Sequence, residues 1–233
     1  EHPLTVRRTV AFSEAIHSGE TQVEGVVGVR AESVDDALRQ TLEGVVPVLV
    51  DPKCSCIWLE PDVLVDAILA KRNMGTTIGM APIVIGVGPG FTAGDDCHAV
   101  VETMRGHTLG RVYYEGSALP NTAVPGLVGG FAGERVLRAP SDGTFREIAS
   151  IRDHVEAGQT VAYVDDAPVI ATLTGTLRGL LADGTRVTKG LKCGDIDPRD
   201  EASHCETVSD KGLAVAGGVL EAILHLSDTL TKA

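Results

Sequence analysis

Residues 139–158 read "APSDGTFREIASIRDHVEAG", and residues 171–190 read "ATLTGTLRGLLADGTRVTKG". Ala139, Gly143, Thr144, Arg146, Val155 and Gly158 recur without a gap as Ala171, Gly175, Thr176, Arg178, Val187 and Gly190, all at the same spacing. Phe145 is matched by Leu177 and Ile148 by Leu180, so apolar positions repeat along with the turn residues. That many matches in one register mark a duplicated unit rather than composition. Each copy reads Ala-x-x-x-Gly-Thr-apolar-Arg, a turn, then Val-x-x-Gly, a pattern of short strands.

The doubled unit resembles the half-motif of biotinyl/lipoyl-type sandwich domains, in which two intertwined copies close a small barrel. In those domains a carrier lysine sits on the hairpin that joins the copies. Here the junction is "VDDAPVIA", residues 164–171, and contains no lysine. The resemblance therefore implies the fold and a docking or bracing role, not a swinging arm.

Upstream the pattern differs. Ser33 is placed to cap an amphipathic helix through Val34, Ala37, Leu38 and Leu42, and Gly44 is placed to stop it before the apolar run Val45 to Val50. Further β-branched runs at Val63 to Val65 and Ile83 to Val87, with a helix signal in "VDAILA", predict alternating strands and helices. The expected architecture is α/β: a Rossmann-like parallel layer over 1–133 that lacks its first strand and glycine loop, with a duplicated barrel-sandwich module inserted at 134–195. Residues 196–233 are expected to form a loop and then a helix from about Asp210, with Leu213, Ala216, Leu220, Ile223 and Leu224 on the stripe that packs back on the layer. The chain opens at Glu1, in a stretch that reads as mid-domain, and is expected to be a fragment or a processed product.

Composition narrows the function. Twenty basic against thirty-two acidic residues in 233 give a net charge of −12, which argues against nucleic acid and anionic lipid as partners. No apolar run is long enough for a membrane span. Five scattered cysteines, Cys54, Cys56, Cys97, Cys193 and Cys205, read as cytoplasmic thiols rather than a secreted disulfide framework. Cys54 and Cys56 would form a zinc site only if the fold brought Cys193 with His204 and Cys205 near them, so no metal is expected.

The chemistry concentrates in "IGVGPGFTAGDDCHAV", residues 85–100. Gly86, Gly88 and Gly90 follow a strand as in a dinucleotide loop, but Phe91 stands where a third glycine is required and Pro89 removes an amide. Asp95 and Asp96 would compete with a bound anion at the start of the next helix. A turn with backbone close to a small ligand and a plain structural turn both fit. If residues 95–104 are helical, Asp95, His98 and Glu102 share a face, where they would orient a proton-transfer group or offer a small cation site. Cys97 falls in the first turn and is the candidate nucleophile or sulfur and selenium acceptor; an inert buried thiol is the other reading. Lys71 and Arg72 are candidates for helix capping or an anion clamp, and His107 has no neighbour that fixes its role.

The blocks "RRTVAFSEAI", "VPVLVDP", "PDVLVDAILAKRN", "GVGPGFTAGDDCHAVVETMRGHTLGRV", "EGSALPNT", "RVLRAPSDG" and "KGLKCGDIDPR" together resemble the YqeB family, accessory proteins of the selenium-dependent molybdenum hydroxylase system. The resemblance covers nearly the whole chain, although members characteristically carry an earlier strand and glycine loop that this sequence lacks. It implies a maturation factor for a hydroxylase of the xanthine dehydrogenase type, handling sulfur or selenium for the molybdenum centre, with that hydroxylase as partner. It carries Gly86, Gly88, Gly90, Asp95, Asp96, Cys97, His98, Glu102, Arg105 and His107 as motif positions and supplies no cofactor. The competing readings are a chaperone that binds the cofactor and docks on the hydroxylase, and a nucleotide-dependent oxidoreductase. A homo-oligomer is compatible with each.

Overall fold

The computed structural model describes residues 3–122 and 126–227. It is a mixed α/β structure with parallel and antiparallel sheets and few helices. The chain divides into two compact units, one of Glu1–Asp51 with Leu127–Val208 and one of Pro52–Gly126 with Ser209–Ala233. This differs from the boundary expected at residue 133, because the first fifty-one residues group with the repeat.

The first unit begins with α1 (Ala15–Ser18), β1 (Glu20–Val23), β2 (Val26–Ala31), α2 (Val34–Leu42) and β3 (Val46–Leu49). Glu24 and Gly25, both at positive φ, make the tight turn between β1 and β2. The Ser33 hydroxyl accepts from the Asp36 amide and caps α2, which carries the chain over to β3, parallel to β2. The expected apolar face is not the buried one, however. Gln40 is buried, its amide donating to the Arg30 carbonyl, whereas Leu38 and Leu42 face solvent and β3 is half-buried.

In the second unit β4 (Val63–Asp66), β5 (Ile83–Val87) and β6 (Ala99–Val101) run parallel, and β7 (Val112–Tyr113) closes the sheet antiparallel. Two expected helices are absent. "VDAILA" supplies the end of β4 and then an irregular loop, and residues 95–104 form a turn followed by β6. Ala99, Val100 and Val101 are fully buried beside β5, an environment that suits β-branched residues better than a helix start does.

Returning to the first unit, the repeat forms β8 (Val136–Arg138), β9 (Gly143–Glu147), β10 (His154–Val155), β11 (Thr160–Val164), β12 (Ala167–Ile170), β13 (Gly175–Leu180), β14 (Arg186–Val187) and β15 (Lys192–Asp197). They make two antiparallel sheets, β10-β13-β15-β8 and β12-β11-β9-β14. The copies exchange strands reciprocally. Val155 of the first pairs with Gly175 of the second, and Val187 of the second with Gly143 of the first. The Gly158 amide donates to Ala171 O and the Gly190 amide to Ala139 O, both at 2.8 Å. Gly143 and Gly175 sit at φ 154° and 155°, and a Cβ on either would collide with Asp165 or with the Asp197 backbone, which explains the glycine at this repeat position. Phe145 and Leu177 fill the core between the sheets, whereas Ile148 is exposed and Leu180 fully buried.

The N-terminal segment accounts for that difference. The Leu180 amide donates to Val6 O at 2.8 Å, Arg8 Nε donates to Leu180 O at 2.9 Å, and a Cβ on Gly179 would lie 2.8 Å from Val6. Residues near the start of the chain thus lie along β13, whereas they meet β9 through a side-chain ion pair, Arg8 Nη2 donating to Glu147 Oε2 at 3.0 Å.

The last helix, α3 (Asp210–Leu226), is capped by Ser209, whose hydroxyl accepts from the Gly212 amide. It packs Val215, Val219, Ala222, Ile223 and Leu226 on Ile85, Ala99 and Val101 of the second unit's sheet. The packed stripe is rotated from the expected one: Leu213 and Leu220 are exposed. Gly218 sets the rotation, since its missing side chain admits the Gly110 carbonyl. Among the described residues no helix is long and apolar enough to cross a membrane.

Candidate functional site

The parallel strands β4, β5 and β6 end at Asp66, Val87 and Val101, and the loops that follow meet at this carboxyl edge, the usual place for ligands in open α/β sheets. The glycine loop after β5 is filled by its own protein. A Cβ on Gly86 would lie 2.5 Å from the Phe91 ring, one on Gly88 2.9 Å from Thr103 Oγ1, and one on Gly90 2.5 Å from Arg72 Cα. Gly88 and Gly90 also have positive φ, 88° and 112°. These glycines admit neighbouring protein groups rather than a pyrophosphate, and the Gly88 amide is spent on Val101 O. Phe91, which breaks the dinucleotide pattern, folds back over Gly86.

The residues after the loop are mostly structural. Asp96 accepts from the Thr92 amide and from Asn73 Nδ2, closing the turn, while Asp95 is exposed. Cys97 is fully buried among Val84, Phe91 and Val100, and its thiol pKa is pushed up by burial, with Asp96 adding to the rise. His98 extends the edge of β5: its amide donates to Val84 O at 2.8 Å and its Nδ1 accepts from the Val84 amide at 3.0 Å. Glu102 is fully buried, with Oε1 accepting from Met104 N and Oε2 from Leu119 N. Asp95, His98 and Glu102 therefore do not converge, because the helix that would align them is a turn and a strand.

The same edge gathers cations. Arg105, in the loop after β6, makes a two-pronged ion pair with Asp210 at 2.6 and 2.8 Å. Lys211 follows on the first turn of α3, and its ammonium pKa is lowered by burial and by the charges of Lys71 and Arg105. Lys71, in the loop after β4, and Lys211 form no ion pair within 4 Å among the described residues. Ile68 and Met74 are exposed on the same loop as Lys71. Lys71 was legible as a clamp candidate; Lys211 was not, because only the fold brings the start of α3 to this edge. His107 is exposed, away from any defined role.

No disulfide joins the described cysteines: Cys54 and Cys56 are half-buried, and Cys193 and Cys205 are buried. Among the described residues no group of three or more His, Cys, Asp or Glu side chains is arranged to hold a metal.

Fold and site together define a mixed α/β protein with a cation-lined strand edge and an enclosed cysteine. Over 234 aligned residues, the whole of the chain, it is 50% identical to "Uncharacterized protein YqeB" of Escherichia coli (strain K12). That similarity supports membership of the YqeB family, and the chain spans 43% of that relative's length. No protein-family profile matches the chain. Among solved structures, an aspartoacylase family protein of Mesorhizobium loti is similar over 28% of this chain and 23% of its own, at 19% identity and a TM-score of 0.26. A succinylglutamate desuccinylase/aspartoacylase of Rhodobacter sphaeroides is similar over 27% and 22%, at 22% identity and a TM-score of 0.24. Scores at that level carry no functional argument.

Proposed function

We propose that the chain serves the maturation of a molybdenum hydroxylase as a binding module, holding an anionic organic ligand at the carboxyl edge of β4, β5 and β6. The link to the hydroxylase rests on the sequence resemblance. The binding role rests on Lys71 and Lys211, two ammonium groups within electrostatic reach of each other and of Arg105 at a sheet edge where ligands bind. An anion between them relieves their repulsion, and the apolar side chains of Ile68 and Met74 suit an organic body attached to it. A sulfur or selenium carrier needs an accessible thiolate, and the burial of Cys97 opposes that reading. On the same proposal, β4 to β7 with α3 are a Rossmann-like layer, and the strand-exchanged repeat is a biotinyl/lipoyl-like barrel-sandwich in which the lysine-free hairpin serves docking.

The test is hydroxylase maturation in cells producing the full-length protein, read as cofactor content and activity of the purified hydroxylase. Lys71→Met with Lys211→Met is expected to abolish maturation in a protein that still melts as the wild type, and Cys97→Ser to preserve it. Maturation that survives the lysine pair, or fails with Cys97→Ser alone, overturns the proposal.

A further inference from the structure

The two sheets of the strand-exchanged repeat match position by position, and their faces away from the shared core differ in one respect. On β10-β13-β15-β8 the cations at repeat positions have acids. Arg178 holds Asp195, Nε to Oδ2 at 2.8 Å, and Asp197, Nη1 to Oδ2 at 3.0 Å. His154, opposite Thr176 in the ladder, holds Asp200, Nδ1 to Oδ2 at 2.9 Å, and meets Glu156, Nε2 to Oε1 at 3.3 Å.

On β12-β11-β9-β14 the cations are kept and the acids are replaced. At the spacing of the repeat, Arg146 stands for Arg178 and Arg186 for His154, while Tyr163 stands for Asp195 and Pro168 for Asp200. Tyr163 pairs with Arg146 on one side and Pro168 on the other, and the Arg146 guanidinium lies 5.0 Å from the centre of the Tyr163 ring. Arg186 pairs with Thr144, two residues along β9 from Arg146, so the two arginines are diagonal neighbours on one face, about 7–8 Å apart at the backbone. Both are exposed, and neither has a carboxylate within 4 Å among the described residues. Asp165, at the hairpin end of the row, turns its Oδ1 to the Thr144 amide at 3.0 Å. Pro168 and Ile170, alternate residues of the edge strand β12, are exposed beside Tyr163.

We propose that this face docks an acidic segment of a partner protein, with carboxylates at Arg146 and Arg186 and apolar side chains resting on Tyr163, Pro168 and Ile170. The other sheet supplies the chemistry, since cations at the same two repeat positions hold carboxylates there. The spacing of the arginines suits alternate side chains of an extended segment, about 6.5 Å apart. Tyrosine and arginine are also the side chains that anchor protein interfaces, and in a chain of net charge −12 an unpaired cationic face steers an acidic partner to one place. The surface rests on the docking role proposed for the repeat, to which it gives a location and a partner charge, and it is independent of the organic-anion edge in the other unit.

The experiment is a titration of the full chain at low salt with a capped pentapeptide of alternating glutamate and valine, read by calorimetry and by the arginine Nε–H signals. The peptide is expected to bind at one site and to shift the two signals that vanish in Arg146→Gln and in Arg186→Gln. Arg146→Glu with Arg186→Glu should weaken binding by about tenfold or more, whereas Arg39→Gln, which removes an exposed arginine of α2, should leave it unchanged. A glutamine-valine peptide that binds equally well overturns the proposal, as does a thymidine oligonucleotide that binds more tightly through the same two arginines. No binding by the wild type, or binding that moves neither signal, refutes the site whatever the stability of the variants. Lys71→Met with Lys211→Met should not alter peptide binding, so failure of this surface and failure of the organic-anion reading are distinguishable. Peptide binding in a protein whose Arg146→Glu, Arg186→Glu form still matures the hydroxylase supports the surface and removes the hydroxylase as its partner.

Discussion

Glu102→Gln replaces a buried carboxylate by an amide of nearly the same shape. Glu102 Oε1 accepts from Met104 N at 2.7 Å and Oε2 from Leu119 N at 2.8 Å, so both oxygens are committed to backbone donors. Glutamine keeps one acceptor and turns its NH2 toward the other N–H, setting two donors face to face. A hydrogen bond to a charged group contributes about 1.5–3 kcal/mol, and a buried N–H left without a partner costs about 1–3 kcal/mol. These overlap, so the expected loss is about 2–4 kcal/mol. At about 2–4 °C per kcal/mol for a chain of this size, the midpoint should fall by about 5–15 °C. Differential scanning calorimetry reads it, with Asp95→Asn as an exposed control that should not move. A Glu102→Gln protein that melts as the wild type but no longer supports hydroxylase maturation would refute the structural reading and return the carboxylate to chemistry.

Gly90→Ala should destabilise by more than about 2 kcal/mol, because its φ of 112° strains any side chain and the new Cβ would lie 2.5 Å from Arg72 Cα, a backbone atom that cannot swing away; chemical denaturation measures it. Ellman's reagent on native protein should label Cys54 and Cys56 rapidly and Cys97, Cys193 and Cys205 only on unfolding, with burial holding the Cys193 thiol at a pKa of about 11. Stability should depend on pH at both ends. Burial pushes the Asp197 pKa up, but hydrogen bonds from Arg199 and the charge of Arg178 outweigh it and bring the value to about 2, so this stabilisation, about 2 kcal/mol, is present above 3.8 and lost as pH falls toward 2. The His154 pKa is raised by hydrogen bonds to Asp200 and then Glu156; its contribution is full below 6.5 and disappears as pH rises through the raised value, and a denaturation series from pH 5 to 9 should show that decline.

What the sequence made legible was what its local order dictates. The repeat could be found because each copy needs glycine where the other copy's backbone passes and an apolar residue where the two sheets face. Ser33 announced its helix because a cap acts within its own turn. Residues 95–104 misled because Asp95 and Asp96 resemble a helix start, while the preference of Val100 and Val101 for a strand is expressed only beside β5. The repeat likewise could not tell that Arg146, stacked 5.0 Å over the Tyr163 ring, stays at the surface while Arg178 at the same repeat position is buried. That depends on residues 6–8, far away in sequence, which hydrogen-bond the backbone of β13 but meet β9 through the Arg8–Glu147 ion pair. The lysines at the carboxyl edge were separated for the same reason, one following β4 and the other opening α3.

The strand exchange also governs when the protein can acquire its shape during synthesis. Gly143 waits for Val187 and Val155 for Gly175, so neither half-barrel has a complete sheet while the second copy is still in the ribosome. The first fifty residues wait longer still, since Val6 has no strand to bond until Leu180 emerges. Meanwhile β4 to β7 emerge well before α3, which covers Ile85 and Val101. Each unit therefore closes only once segments far apart in sequence have both emerged, and until then the nascent polypeptide carries exposed apolar strands.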